Sequence, residues 1–154
     1  MKKLRGLVVG VLLLPGLEGC AVKNDTPVII SEYFAIEHFS NKQEVLSKAR
    51  QALLRDGFQI LSADLEAGYI STSLKNWKLS PNQAHCGTAK GVDYLDDNHT
   101  KTEVAFNVVV DDRAVIVCSN IQGEYLPGEL AKNLTLNCVS RGVIEVEMAK
   151  KILL

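Results

Sequence analysis

The sequence predicts an α+β fold: an antiparallel sheet of about four to five strands with two helices packed on one face. Three observations carry this reading. An amphipathic run over residues 42–56 has helical spacing, a pair of runs at 103–110 and 114–121 has strand character, and a second striped helix occupies 139–153.

The elements follow in order. Within residues 28–39, Val28, Ile30, Tyr33, Phe34, Ile36 and Phe39 stand among polar neighbours and predict one strand. The helix over 42–56 is the clearest element. Asn41 can cap it, and Glu44 stands at capping-box spacing. Val45, Leu46, Ala49, Ala52 and Leu53 form one apolar stripe, read as a core face, and Gly57 supplies a left-handed stop. Residues 58–64 and 69–74 then predict two strands joined across Leu65-Glu66-Ala67-Gly68. A second hairpin pairs 103–110 with 114–121 through a turn near Asp111-Asp112-Arg113. A tight turn there sets Val110 opposite Val115 and Val108 opposite Val117, giving one apolar face that helices must cover. In the last helix Val139, Val143, Val146 and Leu153 share a side, with Ile144, Met148 and Ile152 beside them. Lys150 and Lys151 near its end suit the negative pole of the helix dipole.

The start of the chain reads as an address. Lys2-Lys3-Leu4-Arg5 is basic, residues 7–14 are almost wholly apolar, and Pro15-Gly16 leads into Leu17-Glu18-Gly19-Cys20. A basic start, a short apolar stretch and a small residue before the cut make a secretory signal. The apolar run is too short to span a bilayer, which takes about 20 residues. Leu17-x-Gly19-Cys20 resembles the lipobox of bacterial lipoproteins, in which the cysteine is acylated and becomes the mature N-terminus. The resemblance implies a signal peptide over 1–19, palmitate-type lipidation of Cys20, and the lipid bilayer as a partner. Glu18 departs from the family pattern, which has a small uncharged residue there, and this bears on the efficiency of processing. Ala21 stands where an Asp often retains lipoproteins at the inner membrane, so the resemblance implies the periplasmic face of the outer membrane. The alternatives are an ordinary secretory peptide, or a cytosolic apolar N-terminus with Cys20 an incidental thiol.

Residues 20–27 are small and polar and read as a tether to a single domain over 28–154. The full chain of 154 residues holds 17 basic and 18 acidic side chains. Loss of Lys2, Lys3, Arg5 and Glu18 with the leader leaves 14 and 17, a mild net −3. No basic patch points to nucleic acid, and no internal repeat or low-complexity tract occurs. Of the four cysteines, Cys86, Cys118 and Cys138 remain beside Cys20. An oxidising compartment makes one bridge and one leftover thiol the simplest account. Cys118 ends the β-branched run Ala114-Val115-Ile116-Val117, where a small buried thiol fits, whereas Cys86 and Cys138 sit at loop edges. Cys86–Cys138 is the favoured bridge, and the other two pairings stay open because connectivity cannot be read from spacing. Closing so long a loop adds about 4 kcal/mol by chain entropy, less if strained.

The run Ala52-Leu53-Leu54-Arg55-Asp56-Gly57-Phe58, followed by Gly68-Tyr69-Ile70, resembles the small periplasmic repeats of the β-barrel assembly machinery lipoprotein C. Cys86-Gly87 and Cys138-x-Ser140-x-Gly142-x-x-Glu145 are likewise similar to a pattern of small envelope lipoproteins. These resemblances imply the same fold and the Cys86–Cys138 bridge, and no activity.

Candidate chemistry is sparse. His85-Cys86 could form a thiol nucleophile or half a metal site with His99, but adjacent residues seldom face one another and no metal-ligand spacing follows. Asp96-Asp97 and Asp111-Asp112 lie in turns, where Asp bonds nearby backbone, so they do not read as a general acid/base pair. Asn98-His99-Thr100 and Asn133-Leu134-Thr135 match a glycosylation pattern by chance. No phosphate-binding loop, dinucleotide fingerprint or nucleophile elbow is present, and no metal or cofactor is called for. Two segments stand out as surfaces. Residues 75–102, long for a loop, hold Trp77 between Lys75 and Lys78, with Tyr94 further on, and residues 122–129 hold Tyr125. Trp77, Lys78, Tyr94 and Tyr125 are therefore the candidate partner-binding residues. The competing reading makes Trp77 ordinary core at the sheet's open edge.

The expectation is a non-enzymatic, lipid-anchored binding or adaptor component of an envelope assembly, transport or secretion complex, with an envelope protein as partner. The alternative is a periplasmic carrier of a lipid or other apolar ligand. An enzyme built around Cys86 stands third.

Overall fold

The computed structural model describes Asn24–Asp25, residues 34–128 and residues 132–154. In chain order its elements are β1 (Asn24–Asp25), β2 (Phe34–Glu37), α1 (Lys42–Arg55), β3 (Ile60–Asp64) and β4 (Tyr69–Thr72). Four two-residue strands follow: β5 (Lys75–Asn76), β6 (Ala84–His85), β7 (Thr88–Ala89) and β8 (Val92–Asp93). A 3-10 turn at Tyr94–Asp96 precedes β9 (Thr100–Val110) and β10 (Ala114–Tyr125). The chain then forms β11 (Leu134–Asn137), β12 (Val139–Ser140) and α2 (Val143–Leu153).

The fold is α+β, but the sheet has seven strands rather than four or five, in the order β11-β10-β9-β4-β3, with β2 also on β10 and β5 also on β9. The physical reason is the length of the central pair. β9 has 11 residues and β10 has 12, enough for each to seat two short strands end to end on its outer flank. Along β10, β2 covers Ala114 to Val117 and β11 covers Gln122 to Tyr125. Along β9, β4 lies opposite Asn107 to Val109 and β5 opposite Glu103 and Val104. All pairings are antiparallel. A three-stranded sheet (β1-β7-β8) and a two-stranded one (β6-β12) stand apart. Residues 75–102 thus carry four short strands that the sequence does not show, because isolated two-residue pairings leave no periodicity to read.

The hairpin register is the predicted one, with Val115 opposite Val110 and Val117 opposite Val108. Its turn is closed by Asp111: the backbone N–H groups of Arg113 and Ala114 donate to Asp111 Oδ1 at 2.7 and 2.6 Å. The buried His38 braces the same turn, with Nδ1 3.1 Å from Ser40 O and Nε2 3.0 Å from Asp111 O. Both partners are carbonyls, which only accept, so a neutral ring bonds one at a time and an imidazolium both.

Residues 100–125 alternate between two environments. Val104, Phe106, Val108, Val110, Val115, Val117 and Ile121 are buried with the apolar stripe of α1 and with Ile144, Met148 and Ile152 of α2. α1 packs against α2, and both contact the long hairpin. Asn41 caps α1, accepting from Gln43 N at 2.8 Å, while Glu44 reaches Lys48 at 3.4 Å.

α2 begins at Val143, not 139, because Val139 is drawn into β12 opposite His85. Gly142 starts the helix at φ +86°, and the Phe34 ring lies against it, 1.9 Å from where a Cβ would stand. Gly142→Ala is therefore expected to lower the unfolding free energy by about 3 kcal/mol, from backbone strain plus the clash. Urea denaturation would read this, and an unchanged midpoint would show that Phe34 rotates away freely. The two amides hold the Asp111 carboxyl below the ordinary 3.8, the Arg113 amide most strongly and the Ala114 amide next. Its contribution to stability is present above 3.8 and lost as pH falls through the lower folded value. The Asp111 carboxyl carbon is expected to titrate below free Asp by NMR, and a titration at or above 3.8 would remove this role.

Candidate functional site

Because successive strand residues face opposite ways, the burial of the inner hairpin positions leaves the alternate ones facing out. Two adjacent polar rows cross the sheet on this outer face. In the first, Asn76, Glu103, Gln122 and Asn137 stand in register on β5, β9, β10 and β11. In the second, Lys101, Glu124 and Thr135 do the same on β9, β10 and β11. Together they line an open groove of about 750 Å³. Asn120, in the row beyond, extends the lining and stands opposite Ala105. Asn133 Nδ2 donates to Glu124 Oε1 at 3.2 Å at the rim.

The groove's floor is fixed covalently. Cys86 and Cys138 lie at disulfide distance, 2.04 Å between sulfurs, and Cys138 follows β11 directly into the groove wall. Gly123 of β10 makes room for this: a Cβ there would stand 2.7 Å from Cys138 Sγ and 3.1 Å from Leu136 Cβ. The bridge therefore ties the β6-β12 pair to the end of the main sheet. β12 is held from its other side by Glu145, which is only 3 % exposed and accepts from Ser140 Oγ at 2.6 Å and from Ser119 Oγ.

The partner-binding residues singled out from sequence fall elsewhere. Cys20 lies outside the described residues. Trp77 is half-buried, its ring centroid 5.8 Å from that of Phe58 and 6.1 Å from that of Phe106, so it packs at the core's margin. Lys78 is exposed and donates to Asn98 Oδ1 at 2.8 Å. Tyr94, expected at the surface, is 6 % exposed and packs 5.1 Å from Tyr125, because the 3-10 turn folds it inward. Tyr125 belongs to β10 rather than a loop, half-buried, with its hydroxyl donating to Asp97 Oδ2 at 3.2 Å. Burial, and then the Asp97 carboxylate, push the Tyr125 hydroxyl up. These four side chains do not converge on the groove.

Nor do the catalytic candidates converge. His85 Nδ1 lies 3.2 Å from Asp93 Oδ2, and His99 Nδ1 lies 2.8 Å from Asp97 Oδ1. Asp97 also accepts from the His99 backbone, the largest of the causes that lower its pKa. The sulfur of Cys86 is engaged in the bridge. Cys118 is a free thiol on the outer face, pushed up by burial and then by Glu145, which keeps it in the poorly nucleophilic protonated form. Among the described residues no three His, Cys, Asp or Glu side chains gather as a metal site, and no helix is long and apolar enough to cross a membrane.

Asn76, Gln122 and Asn137 went unnoticed in the sequence because carboxamides scattered over three strands form no motif. The one available signal was the alternation of Asn120, Gln122 and Glu124 with Ile121, Gly123 and Tyr125, which continues the strand. No protein-family model matches the chain, and no curated protein matches it.

Replacing both Cys86 and Cys138 by Ser is expected to cost about 2–4 kcal/mol of stability. Urea denaturation with and without reductant would check this. A wild-type midpoint insensitive to reductant would show that the bridge adds nothing.

Proposed function

We propose that this chain is a non-enzymatic lipoprotein, held by acylated Cys20 at the periplasmic face of the outer membrane, and that it binds through the outer face of its sheet. In this reading both helices cover the inner face and leave the other for a partner in the envelope. The observation that carries it is the groove formed by the two polar rows across β5, β9, β10 and β11, whose Asn76, Gln122 and Asn137 amides enter no hydrogen bond among the described residues. The absence of any motif for a reaction accords with a binding role.

The carrier alternative is less well supported. The space between helices and sheet is filled by Phe58, Trp77 and Phe106 in mutual contact, where an apolar ligand would need a cavity. The Trp77 loop is also a weaker docking candidate than the sheet face, since its aromatic ring serves the core.

A photo-crosslinker at Asn120 in intact cells tests the reading. It is expected to capture an envelope component, while one at the exposed Gln51 on α1 captures none. Cys20→Ser is expected to move the protein out of the membrane fraction and abolish the Asn120 product. Equal products from both positions, or an Asn120 product that survives loss of Cys20, would overturn it.

A further inference from the structure

We infer that the ligand of the outer-face groove is an oligosaccharide of uncharged, acetamido-bearing sugars, an inference that rests on this face being the binding surface. The chemistry of the two rows selects it. Asn76, Gln122 and Asn137 each offer a carbonyl acceptor and an NH2 donor, and among the described residues no hydrogen bond occupies these amides. Sugar hydroxyls and acetamido groups combine donor and acceptor in the same way. Planar amides in a line can therefore meet successive rings through paired bonds.

Charge narrows the class further. Lys101 stands among Glu103 and Glu124, so the groove is slightly acidic. Nucleic acids and phosphorylated ligands need clustered cations, and this bed supplies one lysine against two carboxylates. An extended peptide would pair with a free sheet edge, whereas here the backbones of β9 and β10 are already paired with each other. A protein partner's hot spots favour aromatic and arginine contacts in desolvated pockets, and the groove lining holds neither. The longer row spans three inter-strand gaps, about 14 Å at the usual strand spacing, which suits a short oligomer rather than one ring. Ala105, opposite Asn120 in the next row, adds no bulk that would lift such a chain off the sheet.

The test titrates the full chain in mild detergent with the tetramer of N-acetylglucosamine, with cellotetraose, and with an extended polar peptide. Saturable binding of the acetylated tetramer is expected, with NMR shifts centred on the side-chain amides of Asn76, Gln122 and Asn137. Gln122→Ala and Asn137→Ala are each expected to weaken it roughly three- to tenfold. Both positions are exposed, and an unchanged thermal midpoint would show that the fold is retained. Asp112→Ala, in the distant hairpin turn, should leave binding unchanged. Equal affinity for cellotetraose would overturn the acetamido requirement. Absence of sugar binding, binding indifferent to both substitutions, or binding of the peptide alone would overturn the ligand class. If the sugars fail while the Asn120 crosslink persists, the ligand class falls and the docking face stands. If both fail, both fall.

Discussion

From Val115 opposite Val110 at the turn to Tyr125 opposite Thr100 at the far end, β9 and β10 hold one unbroken register. The other strands of the seven-stranded sheet are positioned around that pairing. It decides which residues are buried and which face out, and a slip of one residue would turn one strand over relative to the other. Either the β9 valines 104, 108 and 110 would then meet solvent, with Lys101 and Glu103 forced into the core, or Val115 and Val117 of β10 would, with Glu124 forced in. The penalty for burying unpaired charge makes that alternative inaccessible. Asp111 and His38 act at the turn where the register is set, which places four hydrogen-bonding contacts where an error would propagate furthest.

The parts of the fold governed by periodicity were legible in the sequence. The α1 stripe from Val45 to Leu53, its Asn41 cap and the Val110–Val115 register follow from spacing alone. What escaped was governed by contacts distant in sequence. Two-residue strands such as β5 and β6 exist because a partner strand offers hydrogen bonds there, not because of their own residues. Val139 matched the helical pattern equally well, but its pairing with His85 claims it for β12. Gln122 to Tyr125 read as part of a surface segment, yet they continue β10, and Gly123 serves packing. The candidate site was less legible than the fold. The Cys86–Cys138 pairing could be favoured from loop positions, while the amide rows appear only once four strands are laid side by side.

The inner face mixes apolar packing with one well-satisfied charge. Phe58, Trp77 and Phe106 fill one end of it edge to face. At the other, Glu145 in the first turn of α2 accepts from the Ser119 and Ser140 hydroxyls. A carboxylate at a helix N-terminus is favoured by the dipole, and two hydroxyl donors compensate for its lost water. The side chain thereby joins α2, β10 and β12 at one point, so the helix cannot shift along the sheet without breaking bonds to both strands. The outer face inherits this rigidity, because its rows stand on the same strands.

Gly123 and Cys138 occupy what is in effect a single seat, filled by the sulfur of one residue because the other has no side chain. The two positions are therefore coupled in any path of sequence change. While the sulfur is present, a side chain at 123 is resisted. Once the sulfur is lost, Leu136 need give only a few tenths of an ångström for an alanine to stand at 123, and regaining the bridge would first require clearing it. The disulfide is thus easier to lose than to recover, and a lineage that gives it up once is steered away from return.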